Sequence, residues 1–197
     1  MITAKIEAVG LMRLPYAPSH YTNALAPQSF ARLLKAIEPD AREVRMNPVP
    51  DAADETHILN IRGAVAGFVP FDALYNVTYS AQPQPHVKVE LMNYVIKDIY
   101  VTGQFSVRPL DTQHISLLAK GRTNTTAEKQ FAVLHVEVWE LRRWMILLAL
   151  PLWIYLKWKV KTEVCRMGEF VARELGRPSD EGVGFRMSTS KITWALK

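Results

Sequence analysis

The chain has 197 residues, of which 49% are hydrophobic and 22% are charged. This near-average composition is typical of one globular domain, and it excludes a disordered chain, a collagen-like repeat and a polytopic membrane protein. The formal net charge of +5 would suit nucleic acid, anionic lipid or an acidic protein as a partner. A single cysteine, Cys165, excludes an internal disulfide framework and indicates a reducing compartment.

The first part of the chain predicts one strand and one helix. Residues 2–8 alternate between apolar and polar side chains, which indicates a half-buried strand, and a loop punctuated by prolines follows. Residues 28–37 carry apolar side chains at i, i+3, i+4 and i+7, and this single stripe predicts an amphipathic helix. The side chains on the stripe are Phe30, Leu33, Leu34 and Ile37.

The middle of the chain predicts an antiparallel sheet. Side chains alternate with period two, each time with one apolar face, in residues 58–65, 75–80, 87–92, 99–108 and 114–120. The linkers between these segments are too short for a crossover helix, so neighbouring strands should pair antiparallel. The dry face of such a sheet requires a cover.

The C-terminal region supplies that cover. Residues 127–175 contain one proline, Pro151, and many residues that favour helix. We expect a long helix that Pro151 kinks or splits in two. We also expect a single domain over residues 1–176 and a loosely ordered tail over residues 177–197, with one short strand near residues 192–196.

Together these elements predict an α+β fold in which a curved antiparallel sheet wraps around a long C-terminal helix. Two stretches, FARLLKAIEPDAREVR (30–45) and VTGQFSVRPLDTQHISLLAKGRT (101–123), resemble the early helix and the late hairpin of the START-like superfamily, also called SRPBCC or Bet v 1-like helix-grip. The resemblance covers residues 2–175, and the sequence looks most similar to the branch named for the carbon monoxide dehydrogenase G subunit. It implies a hydrophobic cavity between the sheet and the helix.

The apolar sheet face and the terminal helix would line this cavity. A pocket there would suit a lipid, quinone, isoprenoid or polyketide, and tyrosine hydroxyls could orient the polar end of the molecule. A filled core without a pocket has the same periodicity, so both interpretations stay open at this point. The residues predicted to contact a ligand are Tyr75, Tyr79, Val89, Leu91, Val101, Phe105, Leu117, Leu148 and Leu152.

One segment differs from the rest in composition. Residues 144–156 (WMILLALPLWIYL) contain no charged residue, and a helix that is apolar all round is either buried on every side or in contact with a membrane. Their helical length of about 20 Å is short for a bilayer core of about 30 Å. Basic residues (Arg142, Arg143, Lys157, Lys159 and Lys161) and tryptophans flank the segment, as in an interfacial anchor. The alternative is plain core or cavity lining, with the helix between the sheet and another layer such as a partner subunit. The predicted membrane-contact or partner-contact residues are Arg142, Arg143, Trp144, Trp153, Lys157 and Trp158.

Catalytic and metal sites receive little support from the sequence. The five histidines are scattered without a metal-binding spacing, so no metal is expected. No phosphate-binding or dinucleotide motif occurs, so no cofactor is expected either. The inward-facing candidates for acid–base chemistry are Tyr75, Tyr79 and His57, and Cys165 is interpreted as a spectator thiol.

The sequence therefore predicts non-enzymatic binding or transfer of a hydrophobic ligand (lipid, quinone or isoprenoid). The protein would be cytoplasmic and would work at the inner face of a membrane or on a membrane complex. Two alternatives stay open: an accessory subunit that packs its apolar helix on a larger complex without a ligand, and a polyketide cyclase or aromatase-type enzyme. No nucleic-acid partner is expected, because the basic residues bracket an apolar run rather than line a groove.

Overall fold

The computed structural model describes residues 2–38, 40–49, 56–65, 69–80, 85–92, 98–109, 131–182 and 186–196. The strands are β1 (Ile2–Arg13), β2 (Ala41–Pro48), β3 (Thr56–Val65), β4 (Val69–Ser80), β5 (His86–Leu91), β6 (Ile99–Pro109), β7 (Phe131–Arg142) and β8 (Arg186–Leu196). The helices are α1 (Pro18–Leu25), α2 (Pro27–Ile37) and α3 (Ala149–Glu174), with 3₁₀ turns at Arg143–Leu148 and Ser179–Gly182.

The eight strands form one antiparallel sheet in the order β2-β3-β4-β5-β6-β7-β1-β8. Helices α2 and α3 pack against one face of this sheet, which we call the inner face. The architecture confirms the predicted α+β fold, in which an antiparallel sheet holds a long C-terminal helix. The predicted strand over residues 114–120 lies outside the described residues.

Helix α2 forms as its sequence predicts. All four side chains of the predicted apolar stripe are buried, and Pro27 occupies the first turn, where it has no hydrogen bond to lose. Helix α1 differs from the expected proline-rich loop. It has only eight residues, too few for a clear helical pattern in the sequence. Burial of Tyr21 and Leu25 stabilises the helix.

The prediction of helix from residue 127 onward is wrong for β7. Phe131–Arg142 form a strand that pairs with β1 on one side and with β6 on the other. His135 and Glu137 lie on its inner face, opposite Gly10 and Ala8 of β1. These two polar residues interrupt the apolar side of the alternation, so the period of two is hard to recognise in the sequence.

The C-terminal stretch is more ordered than expected. Arg186–Leu196 form a strand of 11 residues that pairs with β1 from Met12 to Ile2, and the predicted short strand near residues 192–196 is its end. Strand β8 is the outermost strand of the sheet order. Polar side chains are common on edge strands. Those of β8 make this strand hard to recognise in the sequence.

Helix α3 begins at Ala149, so Pro151 lies in its first turn, where a proline is tolerated. The break expected near Pro151 takes the form of a change from the 3₁₀ turn Arg143–Leu148 to α-helix. Arg143, the first residue of that turn, has a φ of 52°. Among the described residues, no helix is both long and apolar enough to cross a membrane.

Helix α3 lies directly on the backbone of β1. A Cβ atom added to Gly10 would be 2.5 Å from the carbonyl oxygen of Val160 and 3.2 Å from Cγ1 of Val164. The absence of a side chain at Gly10 therefore sets how closely the helix approaches the sheet. The next strand, β7, consequently presents its inner face to the middle of α3.

Candidate functional site

A cavity of about 50 Å³ lies between the inner face of the sheet and the helices α2 and α3. Most of its wall is apolar, and one end consists of charged side chains. The apolar lining residues are Leu34, Leu59, Ile61, Val89, Val101, Gly103 and Phe105, and the polar ones are Glu38, Tyr75, His135, Glu137, Lys159 and Glu163.

Gly103 opens the wall of the cavity on β6. A Cβ atom at this position would meet its nearest neighbours, the side chains of His135 and Val89, at 3.8 and 3.9 Å. These are ordinary contact distances, so a methyl group fits and a longer side chain would enter the cavity. The cavity exists in part because this strand position has no side chain.

Lys159 is the centre of the charged end. Its Nζ lies 2.9 Å from carboxylate oxygens of Glu38 and Glu137 and 2.8 Å from one of Glu163. The Lys159 side chain is only 9% exposed, so one ammonium joins three carboxylates inside the protein. A buried charge needs several such contacts, because its removal from water costs free energy that the contacts must offset. We call Lys159, Glu38, Glu137, Glu163 and His135 the Lys159 cluster.

His135 joins the cluster through both ring nitrogens. Its Nε2 lies 2.8 Å from an oxygen of Glu163 and 3.5 Å from one of Glu137. Its Nδ1 lies 3.3 Å from the carbonyl oxygen of Gln104. Nε2 makes no hydrogen bond of regular geometry with a described residue, so its contacts with the two carboxylates are electrostatic. The ring of Phe105 stacks on it with 3.9 Å between centroids.

Sequence spacing explains how these side chains meet. His135 and Glu137 are two residues apart on β7, so they point to the same face of the sheet. Lys159 and Glu163 are four residues apart on α3 and lie on the same side of the helix. Glu38 directly follows the last residue of α2, which brings a third element to the same point.

Burial and neighbouring charges shift the pKa values within the cluster. Burial raises the pKa of Glu38 to about 8 although Lys159 opposes this, so the carboxyl is largely protonated at neutral pH. Burial also raises the pKa of Glu137 and Glu163, but the positive charge of Lys159 has the larger, opposite effect. The pKa of both carboxyls therefore lies below the usual range. Burial opposes the charge of His135 and Lys159, yet the carboxylates raise the pKa of His135 to about 9 and that of Lys159 well above its usual value. The positive charges of His135 and Lys159 therefore balance the negative charges of Glu137 and Glu163.

Three members of the cluster are also potential metal ligands. His135, Glu137 and Glu163 each bring a ligand atom within 4.8 Å of the others. However, the ammonium of Lys159 already contacts both carboxylates, so a divalent ion would have to displace a cation from the site. The geometry favours a site for polar contacts and proton transfer over a metal centre.

Two tyrosines lie next to the cluster. Burial raises the pKa of Tyr75, which lines the cavity, so its hydroxyl keeps its proton and can donate a hydrogen bond. Tyr155 of α3 donates a hydrogen bond to a carboxylate oxygen of Asp40, and burial together with this bond raises its pKa. The Tyr155 bond links α3 to the segment between α2 and β2.

Some residues predicted to contact a ligand line the cavity and others do not. Tyr75, Val89, Val101 and Phe105 line it. Leu91 is buried beside Val101 without belonging to the lining.

The remaining predicted ligand contacts lie elsewhere. Tyr79 packs edge-on against Phe30 and His57 in the core. Leu152 packs against the beginning of β1. Leu148 is 38% exposed, because the 3₁₀ turn before α3 directs it outward. Leu117 lies outside the described residues.

The Lys159 cluster was not predicted from the sequence. The acid–base groups predicted there were Tyr75, Tyr79 and His57, and Lys159 was interpreted as one of the basic residues that flank the apolar segment. A signal was present, however: Lys159 and Glu163 form an i, i+4 pair on the side of α3 that also carries the buried Val160. A charged pair on the apolar face of a helix indicates a buried ionic site, and no single-residue motif would reveal its partners on β7 and α2.

The predicted apolar segment forms an exposed surface at the beginning of α3. Five of its large hydrophobic side chains are 38–82% exposed, whereas Met145 and Leu156 are buried. Arg143 and Lys157 of the predicted contact residues are exposed beside them. We call the exposed hydrophobic residues Trp144, Leu147, Leu148, Leu150, Ile154 and Trp158 the apolar patch.

Two of the predicted contact residues have a different environment. Trp153 is partly buried and packs against the core residues between β1 and α3, so it does not belong to the apolar patch. Its indole nitrogen is buried and has no hydrogen-bond partner in the described part of the chain. The Arg142 guanidinium is half-buried and lies 3.2 Å from the Glu140 carboxylate.

A larger groove, of about 180 Å³, lies at the other end of α3. It runs between α1, α2 and the last turns of α3, and the exposed ion pair Arg32–Glu174 spans it at 3.3 Å. In the described part of the chain, all the buried acidic and basic side chains, His135, Glu137, Lys159 and Glu163, line the smaller cavity instead. Because function requires placed chemical groups as well as volume, the smaller cavity is the candidate site.

Comparison with solved structures identifies the fold. The structure of truncated norcoclaurine synthase from Thalictrum flavum matches with a TM-score of 0.52 and 10% identity, over 86% of this chain and 93% of that one. The di-domain ARO/CYC StfQ from the steffimycin biosynthetic pathway matches with a TM-score of 0.59 and 9% identity, over 87% of this chain and 52% of that one. The chain has the helix-grip fold of the SRPBCC, or Bet v 1-like, proteins.

At this level of identity the matches show the helix-grip fold alone. No protein-family model matches the sequence, and no curated protein matches it significantly. The chain spans about half the length of StfQ. Assignment to the carbon monoxide dehydrogenase G branch stays a prediction. Within this fold, the cavity and the Lys159 cluster lie between the sheet and the long C-terminal helix α3.

Proposed function

We propose that the protein binds a small hydrophobic molecule between the sheet and α3, with the polar group of the molecule against the Lys159 cluster. The observation that carries this proposal is a cavity with apolar walls and one charged end, which lies between the sheet and the helices α2 and α3. Binding sites for small molecules typically combine apolar walls with a few polar groups that orient the ligand. Two of the matching structures are a synthase and an ARO/CYC protein of a biosynthetic pathway, which supports a small molecule here as well.

Charge balance indicates the kind of polar group. Lys159 and His135 offset the charges of Glu137 and Glu163, so a charged ligand group would add an uncompensated buried charge. A neutral hydroxyl or carbonyl group avoids this penalty. The hydroxyl of Tyr75 can donate a hydrogen bond to it.

The size of the cavity makes binding depend on a movement. Pockets for drug-sized molecules measure about 300–1,000 Å³, whereas the cavity measures about 50 Å³ and accepts only a group of a few atoms. A hydrophobic body must therefore separate α2 or α3 from the sheet as it enters. The contacts that have to yield are those of Glu38 with Lys159 and of Asp40 with Tyr155.

Binding can be tested with a neutral fluorescent probe, N-phenyl-1-naphthylamine, and by native mass spectrometry of the gently purified protein. The variant Gly103→Leu should fill the cavity and abolish both probe fluorescence and any co-purifying mass. The matched control Gln104→Leu adds a similar side chain at the next position, which is exposed and points to the other face of the sheet. Equal probe binding by both variants, with circular dichroism showing both folded, would exclude this cavity as the site.

A second candidate function is acid–base catalysis of the cyclase or aromatase type. The specific observation in its favour is that Glu38, a carboxyl with a pKa of about 8, lies at the cavity beside the charged His135 and Lys159. Such a carboxyl can give and take a proton near neutral pH. Deuterium incorporation into the co-purifying molecule in heavy water would support this function, and loss of incorporation in Glu38→Gln without loss of binding would assign the proton transfer to that residue.

The proposal includes a place of action, a membrane surface or a membrane complex. The support is the apolar patch, since contiguous exposed hydrophobic side chains of this size usually mark an interaction site. The patch lies on the exposed side of the first turns of α3, and the two residues of this helix that line the cavity, Lys159 and Glu163, follow in the next turns. An accessory subunit without a ligand would use the same patch, and an empty protein in the probe experiment would favour that alternative.

A further inference from the structure

The apolar patch has the composition and arrangement of a surface that meets lipid. Leu150, Ile154 and Trp158 recur every four residues on α3, so they lie on one side of the helix, and all three are at least half exposed. The 3₁₀ turn before α3 adds Trp144 and Leu147 to the same end of the molecule, with 64% and 82% exposure. One tryptophan therefore stands at each end of a run of aliphatic side chains. Indole rings favour the boundary between lipid headgroups and hydrocarbon.

The chain segment that carries the patch has charges of one sign only. Residues 143–162 contain no aspartate or glutamate. Lys157 and Lys161 are exposed beside the patch and take part in no ion pair with a described residue. Arg143, at the other end of the patch, is 69% exposed and lies 3.6 Å from the carboxylate of Asp98. A cationic margin around exposed hydrophobic side chains complements the anionic headgroups of a membrane.

We propose that the apolar patch docks on the surface of a bilayer that contains anionic lipid, with the tryptophan and leucine side chains in the interface and the lysines on the headgroups. This inference rests on the proposed function and selects lipid over a protein complex as its place of action. A symmetric dimer through the patch is disfavoured, because it would bring cationic margins of the two copies together.

Co-sedimentation of the full chain with lipid vesicles tests the proposal. Vesicles of phosphatidylcholine mixed with phosphatidylglycerol should bind the protein, and vesicles of phosphatidylcholine alone should bind it less. Leu147→Ser with Ile154→Ser should lower partitioning more than about tenfold, because each side chain loses apolar area buried in the interface. The matched control Leu175→Ser changes an exposed leucine at the far end of α3 and should leave partitioning unchanged.

The electrostatic part has its own variants. Lys157→Gln with Lys161→Gln should lower partitioning to anionic vesicles by about fivefold per lysine, with no effect on neutral vesicles. The control Lys35→Gln removes an exposed charge from α2 and should have no effect. Failure of the unaltered protein to bind anionic vesicles would overturn the proposal, as would equal binding by patch and control variants. A dimer that dissociates in the Leu147→Ser, Ile154→Ser variant would assign the patch to a second copy instead.

The cavity variant separates this result from the proposed function. Gly103→Leu should lose the neutral probe but keep vesicle binding, because Gly103 lies on the sheet side of the cavity and away from the patch. Probe binding without vesicle binding would reject docking alone. Vesicle binding without probe binding would reject the ligand and keep the docking surface.

Discussion

The ammonium of Lys159 and the carboxylate of Glu137 lie 2.9 Å apart and join the middle of α3 to β7. The other oxygen of the same carboxylate accepts a hydrogen bond of 2.7 Å from the indole nitrogen of Trp139. Glu137 is therefore held on both sides, so its position and that of Lys159 are mutually determined. This pair ties the gripped helix to the sheet through polar contacts inside an otherwise apolar interface.

Replacement of Lys159 by methionine should strongly destabilise the protein. The ionised carboxylates of Glu137 and Glu163 would remain buried without their cation, and breaking a buried ion pair from one side costs about 3–5 kcal/mol. Urea denaturation gives the free energy of unfolding. The control Lys161→Met alters an exposed lysine two residues away and should change stability by less than about 0.5 kcal/mol. Similar values for the two variants would contradict the ionic role of the cluster.

Stability should fall as the pH rises from about 4.5 to about 9. The pKa of Glu38 is raised by burial to about 8, and that of His135 is raised by Glu163 and Glu137 to about 9 against the opposing effect of burial. A group with a higher pKa in the folded protein holds its proton more tightly there, so its contribution is complete below the unfolded pKa and disappears through the folded one. Urea midpoints measured across this range should decrease steadily.

The variant Glu38→Gln isolates one part of that pH dependence. Glutamine keeps the size of the side chain and never ionises, so the decrease between about pH 4.5 and pH 8 should become shallower, and the part due to His135, between about pH 6.5 and pH 9, should persist. The lowered pKa values of Glu137 and Glu163 act only at more acidic pH, where protonation removes their contribution. An unchanged slope in Glu38→Gln would mean that this carboxyl is already ionised in the folded protein.

The fold could be predicted from the sequence where local periodicity reports burial. The stripe of α2 and the alternation of β3 to β6 depend only on residues close together in the chain, and these elements formed as expected. Strand β7 could not be recognised because His135 and Glu137 occupy apolar positions in its pattern. Their burial depends on Lys159 and Glu163, which come more than 20 residues later.

The candidate site could be predicted only in its apolar half. Tyr75, Val89, Val101 and Phe105 follow from the inward phase of the strands. The charged half combines residues from α2, β7 and α3, and only the completed fold brings these elements together. The surplus of hydrophobic residues in residues 144–156 was visible in the sequence, but the structure was needed to tell the exposed Trp158 from the packed Trp153.

Replacement by alanine should destabilise the protein much more at Gly10 than at Gly103, two glycines on the inner face of the sheet. At Gly10 a methyl group would collide with the backbone of Val160, so Gly10→Ala should push α3 away from β1 and destabilise the protein by about 1–3 kcal/mol. At Gly103 a methyl group meets only ordinary contacts, so Gly103→Ala should cost less than about 0.5 kcal/mol. Urea denaturation of both variants measures the difference. Equal effects would show that α3 lies no closer to Gly10 than the neighbouring side chains lie to Gly103.

The turn from β7 into the helical region should gain stability from glycine at position 143. Arg143 has a φ of 52°. This left-handed conformation costs a residue with a Cβ atom about 1 kcal/mol relative to glycine. Its guanidinium is 69% exposed and 3.6 Å from Asp98, so loss of the charge should matter little to folding. Arg143→Ala removes the same charge but keeps the Cβ atom. Thermal and urea denaturation should therefore find Arg143→Gly more stable than Arg143→Ala by about 1 kcal/mol. A more stable alanine variant would mean that the turn adopts another backbone conformation in solution.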